Sequence, residues 1–529
     1  MKKINIFYYL FLILVTASCE GFLEEKPVDE VASNQYFQRP EHARDAVNAL
    51  YRRGAMQMYE TGVYSGARIM FGAYVSGFVD NDYKGQEFHV QRGQNIVFDG
   101  LNLSDYFNSM WSDIYVGISR ANNAIKYIPT TPGLSESDAN KYLAEARYFR
   151  AYNYYFLARM FGDVPLVTEP YESLENLFLE RTPVAQIYTL ILEDLEFAIN
   201  SGGLAETSMV SNSGRITKGV AQTLLAEVNL TMSGAAVNDN RYSQAAQAAR
   251  EVINSGVYSL VQHTRLGNGD LAENGSAYNK IKDSEQIPSE YIYYYEFDAT
   301  IANNGYPALS FPVSIAPLVS YAITNNAYGP TADLLNSYDS ENDLRVQEKQ
   351  YFHSSIVIDG EEVEFNTSPY MWMDESAIFG SAQSSRDIPI STYADVLLIA
   401  AEAIAKSEGV TAEAVNYLAQ IRERAYWNKT PQEIRSELSS LSVDEFVQEV
   451  WKERVRELVF EFPIWFDVMR TRKFPQPKQD GSGDIEFVDA VGAANFFGAT
   501  IKESTMLFPL PEQELQRNPS LTQNPGYAN

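Results

Sequence analysis

Apolar residues along the first half of the chain recur every three or four positions, which is the spacing of helices with one buried face. The pattern predicts helices from about Glu41 to Tyr59 and from Ser104 to Tyr127; in the second, Trp111, Tyr115, Ile118, Asn122 and Ile125 share a face. Ser135-Glu136-Ser137-Asp138 offers capping residues for a third, whose stripe of Ala146, Phe149, Phe156, Leu157 and Met160 runs to a stop at Gly162 and Pro165. Thr182-Pro183 opens a fourth over Ile187 to Ile199, with Pro183 in the first turn, where its missing N–H does no harm. Ile216 to Met232 and Tyr242 to Ile253 follow, with small residues at Ala221, Ala226, Ala245, Ala248 and Ala249 that permit close packing.

After Gly256 the helical spacing fails. To about Asp387 the chain is rich in Gly, Asn, Ser, Pro and Tyr, with β-like runs such as Tyr291 to Phe297, and a stretch of that length is usually functional or conceals elements. Helical spacing resumes over Tyr393 to Lys406, Ala412 to Tyr426 and Val443 to Arg472; Arg470, Arg472 and Lys473 suit the negative end of a helix dipole. Helix pairs joined by short turns predict a mostly α fold with a tetratricopeptide-like scaffold, without a clean repeat, and a large loop-rich insertion carrying short β elements. The scaffold occupies 41–255 and 390–473, the variable region 256–389 and a C-terminal segment 474–529, all within one domain over 41–529.

The first residues follow a different pattern. Lys2 and Lys3 precede an apolar run, Ile6 to Val15, and the small residues Ala17-Ser18, so 1–18 reads as a secretory signal, too short to span a bilayer. Cys19, the only cysteine, stands directly after it, in the position of a lipid acceptor that would anchor the mature chain through a tether over 19–40. Cleavage changes the net charge from −28 to −30 and leaves no basic block, which disfavours nucleic acid and purely electrostatic adsorption to anionic lipid. Glu20, Glu24 and Glu25 form an early acidic cluster, read equally well as an export signal or as a solvated tether.

Candidate chemistry is sparse. His42, His89, His263 and His353 are scattered without metal-ligand spacing, and no G-x-S-x-G elbow occurs. The 69 acids supply many carboxylate pairs of the kind a glycosidase needs, but none stands out. Asp80-Asn81-Asp82 before Gly85 resembles a calcium loop, yet Lys84 and Gln91 occupy ligand positions, so an Asx-rich turn is the better reading, with room for a loosely bound calcium and no other cofactor.

Several strings, in order along nearly the whole chain, resemble the SusD/RagB family of nutrient-binding outer-membrane lipoproteins. They are Cys19-Glu20-Gly21-Phe22-Leu23-Glu24 with Pro27; Trp111-x-x-x-Tyr115-x-x-Ile118 with Ala121-Asn122-Asn123-Ala124-Ile125; and Ala144-Glu145-Ala146-Arg147-Tyr148-Phe149-Arg150-Ala151 with Phe161-Gly162-Asp163-Val164-Pro165-Leu166. Gly214-Arg215-Ile216-Thr217-Lys218-Gly219, Tyr393-Ala394-Asp395-Val396-Leu397-Leu398, Glu453-Arg454-Val455-Arg456-Glu457-Leu458 with Trp465-Phe466-Asp467, and Leu507-Phe508-Pro509-Leu510-Pro511 with Asn524-Pro525-Gly526-Tyr527 continue the series. A departure falls at Phe462-Pro463-Ile464, where the family usually has a glycine and a basic residue. The charged residues in these strings, Glu145, Arg147, Arg150, Glu453, Arg454, Glu457 and Glu461, sit at helical spacing and read as inter-helix ion pairs.

The resemblance implies binding without catalysis: capture of a glycan or oligosaccharide on the outer face of the outer membrane, and delivery to a SusC-like TonB-dependent transporter, with lipid as the sole membrane contact. A peptide-binding member of the family, a surface glycoside hydrolase and a helical assembly scaffold are the rival readings. The family's ligand loops vary, so no motif transfers binding residues. Candidates are aromatics expected to be exposed in irregular segments, where rings stack on sugars beside polar groups: Trp372 first, with Tyr370 and Asp374; Tyr83 with Asp80 and Asp82; Tyr306; and Tyr328.

Overall fold

A computed structural model describes residues 36–59, 71–81, 88–98, 100–171, 177–284, 286–319, 328–461 and 463–527. Cys19, Asp82 and Tyr83, and the signal and tether up to residue 35, lie outside these residues. The principal helices are α1 (Pro40–Asn48), α2 (Gly100–Tyr127), α3 (Glu136–Phe161), α4 (Val184–Asn200), α5 (Lys218–Met232) and α6 (Tyr242–Asn254). After the insertion come α7 (Tyr393–Glu408), α8 (Ala412–Ala425), α9 (Pro431–Ser439), α10 (Val443–Glu457) and α11 (Ile464–Thr471). The protein is mostly α, as the periodicity predicts, and its helices stack in series: α2 on α3, α3 on α4, and so on to α9, with α10 also on α7.

Local chemistry explains the helix ends. Ser135 accepts the Asp138 N–H at 3.1 Å to start α3, and Gly162, with φ of 72°, closes it in a conformation that a side chain resists. Thr430 and Ser442 form reciprocal capping boxes with Glu433 and Glu445. Three expectations need correction. The run Glu41 to Tyr59 is one helix followed by a 3₁₀ segment, Gly54–Tyr59. Pro183 caps α4 from outside and does not sit within its first turn. The predicted helix Val443 to Arg472 is two, α10 and α11, because Pro463 cannot donate to the helix and disfavours helical geometry just before it.

The insertion leaves after α6 and returns at α7, yet α6 and α7 pack side by side. Its longer strands are β1 (Tyr291–Tyr295), β2 (Phe352–Ile358), β3 (Glu361–Pro369) and β4 (Ile388–Thr392); β5 (Lys473–Pro477) and β6 (Ile485–Asp489) form a later hairpin. β1 and β4 pair antiparallel, with Tyr291 opposite Thr392, and the Tyr393 N–H donates to the Glu290 carbonyl at 2.7 Å. This pair closes the insertion at its base. Above it, the β2–β3 hairpin covers a satellite core of Phe311, Ile315, Ile356, Met373 and Ile378, separate from the main core.

A buried ion network ties the insertion to α8 and α10. The Arg345 guanidinium, fully buried, meets Asp343, Glu453 and Glu457, each at 2.7 Å. Arg424 bridges Glu457 and Glu290, the latter at 2.6 Å, and Arg422 reaches Glu453 at 3.1 Å. Three arginines hold the Glu453 carboxyl down at about 2 even though burial raises it. The expected ion pairs of the other strings are present with partners on neighbouring elements: Arg150 and Arg147 on Asp194, Glu145 on Arg215, and Arg454 on Asp395 and Asp467.

Removing one member of a buried network strands charges in the core. Arg345→Leu should destabilise the protein by about 3–5 kcal/mol in urea unfolding, whereas Lys429→Ala, which breaks an exposed pair with Glu437, should cost less than about 1 kcal/mol. Equal effects would mean the network does not join the two parts.

Candidate functional site

The nominated aromatics converge, but inside the protein. Trp372 is 8% exposed, Tyr306 1% and Tyr328 3%, so the expectation that they are exposed is not met. Their rings form one cluster: Trp372 lies 5.1 Å from Tyr306, 5.0 Å edge-on from Tyr328 and 5.0 Å from Phe460 beyond α10. Apolar ring faces left in an irregular segment were drawn together by the same burial that builds a core. Asp80 sits beside this cluster, since the short strand Val79–Asp80 pairs with Gly329–Pro330 and places Asp80 opposite Gly329. Its Oδ1 accepts from the Asn81 N–H at 2.7 Å and from Gln94 at 2.8 Å.

Tyr370 and Asp374 take different places. The Tyr370 ring is half-buried, with the Lys282 ammonium 4.3 Å above its centroid and His353 5.2 Å away. Asp374 caps the short π-helical turn Ala377–Ser381, accepting from Ser384 at 2.6 Å, Ser376 at 2.7 Å and the Ala377 N–H at 3.2 Å. Burial pushes its pKa up, but these donors and Arg386 outweigh it and hold the carboxyl below its usual range.

Trp372 and Asp374 do share one feature of the surface. Both line an open cleft of about 770 Å³ between the insertion and the ends of α7 and α10. Apolar faces come from Tyr278, Tyr291, Tyr351, Trp372 and Phe460, and polar tips from Asn304, Gln383, Ser385 and Arg386. Arg386 donates to the Lys282 carbonyl, and its Nε lies 3.9 Å from Asp374 Oδ2. Two carboxyls stand out. Burial and the nearby Glu296 push Asp387 up to about 6 although it accepts the Phe297 N–H at 2.7 Å. Burial, with Asp395 adding to it, pushes Glu461 well up; Thr392 donates to it at 3.1 Å.

Sequence reasoning did not find Tyr278, Arg386, Asp387 or Glu461. Helical spacing places Glu461 among the inter-helix ion pairs; among the described residues it has no salt bridge, and its partner is the Thr392 hydroxyl. No sequence signal marks these residues, because the β1–β4 pairing and the arginine network together bring 278–291, 383–389 and 457–461 to one surface.

Stacked helix pairs, with a stapled insertion that leaves an open cleft of this breadth, define the architectural class. The comparisons give the class its family. A family model described as "SusD family" matches residues 296–527, and one described as "Starch-binding associating with outer membrane" matches residues 21–230. The chain belongs to the SusD/RagB family. It is similar to SusD-like protein P2 of Formosa agariphila, 25% identical over 568 residues and covering all of both chains. Its fold is similar to a SusD superfamily protein from Parabacteroides distasonis, with a TM-score of 0.76 and 27% identity over 94% of this chain and 100% of that one. It is also similar to surface glycan-binding protein A from Bacteroides uniformis, with a TM-score of 0.70 and 21% identity over 92% and 99% of the two chains. The second family description fits association with an outer membrane, and among the described residues no helix is long and apolar enough to cross one.

His353, beside Tyr370, supplies a pH test of this region. Burial, with Lys282 and Lys349 nearby, lowers it from 6.5 to about 3. The unfolded chain therefore binds a proton that the fold refuses, so stability is full above 6.5 and falls as pH drops from 6.5 towards 3. Between pH 7 and pH 5, urea unfolding of His353→Phe should lose on the order of 2 kcal/mol less than the parent protein. An identical loss in both proteins would place the imidazole in water.

Proposed function

We propose that this protein captures a glycan or oligosaccharide at the outer face of the outer membrane, held there by lipid on Cys19, and passes it to a TonB-dependent transporter. The cleft carries the reading. Its aromatic faces and amide, hydroxyl and guanidinium tips match a ligand that is apolar on the faces of its rings and polar at their edges. The glycan-binding description of the Bacteroides uniformis relative supports the same direction. Nothing in the reading requires bond cleavage, and the intact ligand is what a transporter would receive.

Affinity gels and calorimetry against a panel of polysaccharides, oligosaccharides and peptides test it. One glycan should bind and be recovered intact, and Arg386→Ala should weaken it at least about tenfold, or 1.4 kcal/mol, with unfolding unchanged. Release of reducing ends would favour a hydrolase, and binding of peptides alone would replace the ligand class. Cys19→Ala should move the protein from the membrane fraction to the soluble one and abolish incorporation of labelled fatty acid; retention of both would remove the anchor from the proposal.

A further inference from the structure

The charges around the cleft are not balanced. Six carboxyls line it, Asp283, Glu290, Asp374, Asp387, Glu457 and Glu461, against two cations, Lys282 and Arg386. Four of the six are matched: Glu290 and Glu457 by Arg424 and Arg345 beneath the floor, Asp283 by Lys282 at 2.8 Å, and Asp374 by Arg386 at 3.9 Å. Asp387 and Glu461 have no salt bridge among the described residues, and hold only the Phe297 N–H and the Thr392 hydroxyl. A second observation is independent of charge. Tyr278, 1% exposed at the wall of the cleft, carries a hydroxyl with no hydrogen-bond partner, and Arg386 Nε has none either. Unsatisfied polar atoms at the wall of an open cleft mark a place that a polar ligand completes.

Resting on the capture reading above, we propose that the cleft selects glycans bearing free amino groups, with the ligand's ammonium supplying the cations that Asp387 and Glu461 lack. A carboxylate partly removed from water is costly unless an opposite charge accompanies it, and an ammonium brings that charge together with hydrogen-bond donors. The group is better suited to a cation carried by a ligand than to a metal ion, since no three His, Cys, Asp or Glu among the described residues are arranged to hold one. Esters of sulfate would meet the same carboxyls as repulsion.

The inference has a signature in pH. Glu461 faces Asp395, Glu290 and Glu457, with Arg454 paired to Asp395; Asp387 faces Glu296, with Arg52 bound to the Glu296 carbonyl. Burial and the acidic neighbours favour the protonated carboxyls in the empty cleft, outweighing Arg52, which favours the ionised form of Asp387, so an incoming ammonium must displace protons. Affinity therefore rises as pH increases through about 6, where Asp387 ionises, and falls again once the ligand amine loses its proton. A neutral sugar shows no such rise.

The test uses the full-length protein in detergent and calorimetry with matched oligosaccharides: glucosamine oligomers, their N-acetylated counterparts, glucose oligomers of the same linkage, sulfated glucose oligomers, and lysine-containing peptides. The glucosamine form should bind at least tenfold tighter than the acetylated form, with a bell-shaped pH dependence and net proton release. Asp387→Asn and, separately, Glu461→Gln should each reduce the preference to under threefold while circular dichroism stays unchanged; two variants guard against one that misfolds. Equal or tighter binding of acetylated or neutral oligomers overturns amine selection and leaves glycan capture standing. Binding of peptides alone, or of nothing in the panel, overturns both.

Discussion

The fold depends on charge buried between its two halves. Arg345 and Arg424 meet Glu453, Glu457 and Glu290 in a region where each charge, left alone, would be severely penalised, so the network forms as a whole or not at all. Apolar packing sets how close α8 and α10 lie, but it does not fix where the insertion rests on them. The arginine forks do, because a planar guanidinium accepts carboxylates only in its own plane. Asp343 and Arg345 come from the insertion, Glu453 and Glu457 from α10, and the joint between them becomes the floor of the cleft.

Much of the scaffold is legible in the sequence because helical periodicity is local. The stripe in α3, its serine cap and its terminal glycine all lie within one segment and need no knowledge of the rest. Failures arise where a distant partner or a single backbone restriction decides the outcome. Pro463 splits one periodic stretch into two helices although its apolar stripe continues, and α9, short and mostly polar, gave no periodic warning. The site shows the same division. That aromatics are concentrated in irregular segments was readable from residue type; that Trp372, Tyr306 and Tyr328 gather and turn inward was not, because their partners are distant in sequence: Phe460, almost ninety positions beyond Trp372, and Tyr74, packed against Tyr328. Glu461 was visible only as one more acid at helical spacing.

The acidity of the whole chain and that of the cleft are separate matters. A charge of −28 governs solubility and long-range encounter. The carboxyls of Asp387 and Glu461 differ because their surroundings, not their number, make them reluctant to ionise. Local environment, not residue type, sets how readily a carboxyl takes up charge.

The side-by-side packing of α6 and α7 has a consequence for how such a surface diversifies. The scaffold holds the two ends of residues 255–392 at a fixed separation, and β1 pairs with β4 directly above that point. Between fixed posts, doubling the length of a loop costs only about 0.6 kcal/mol in closure entropy. Above the strand pair, Asp343 and Arg345 and the aromatics that pack into the core bind the insertion to the scaffold; the segments between them lie close to grafts on a prefolded stem, whose sequence can change without posing the folding problem afresh.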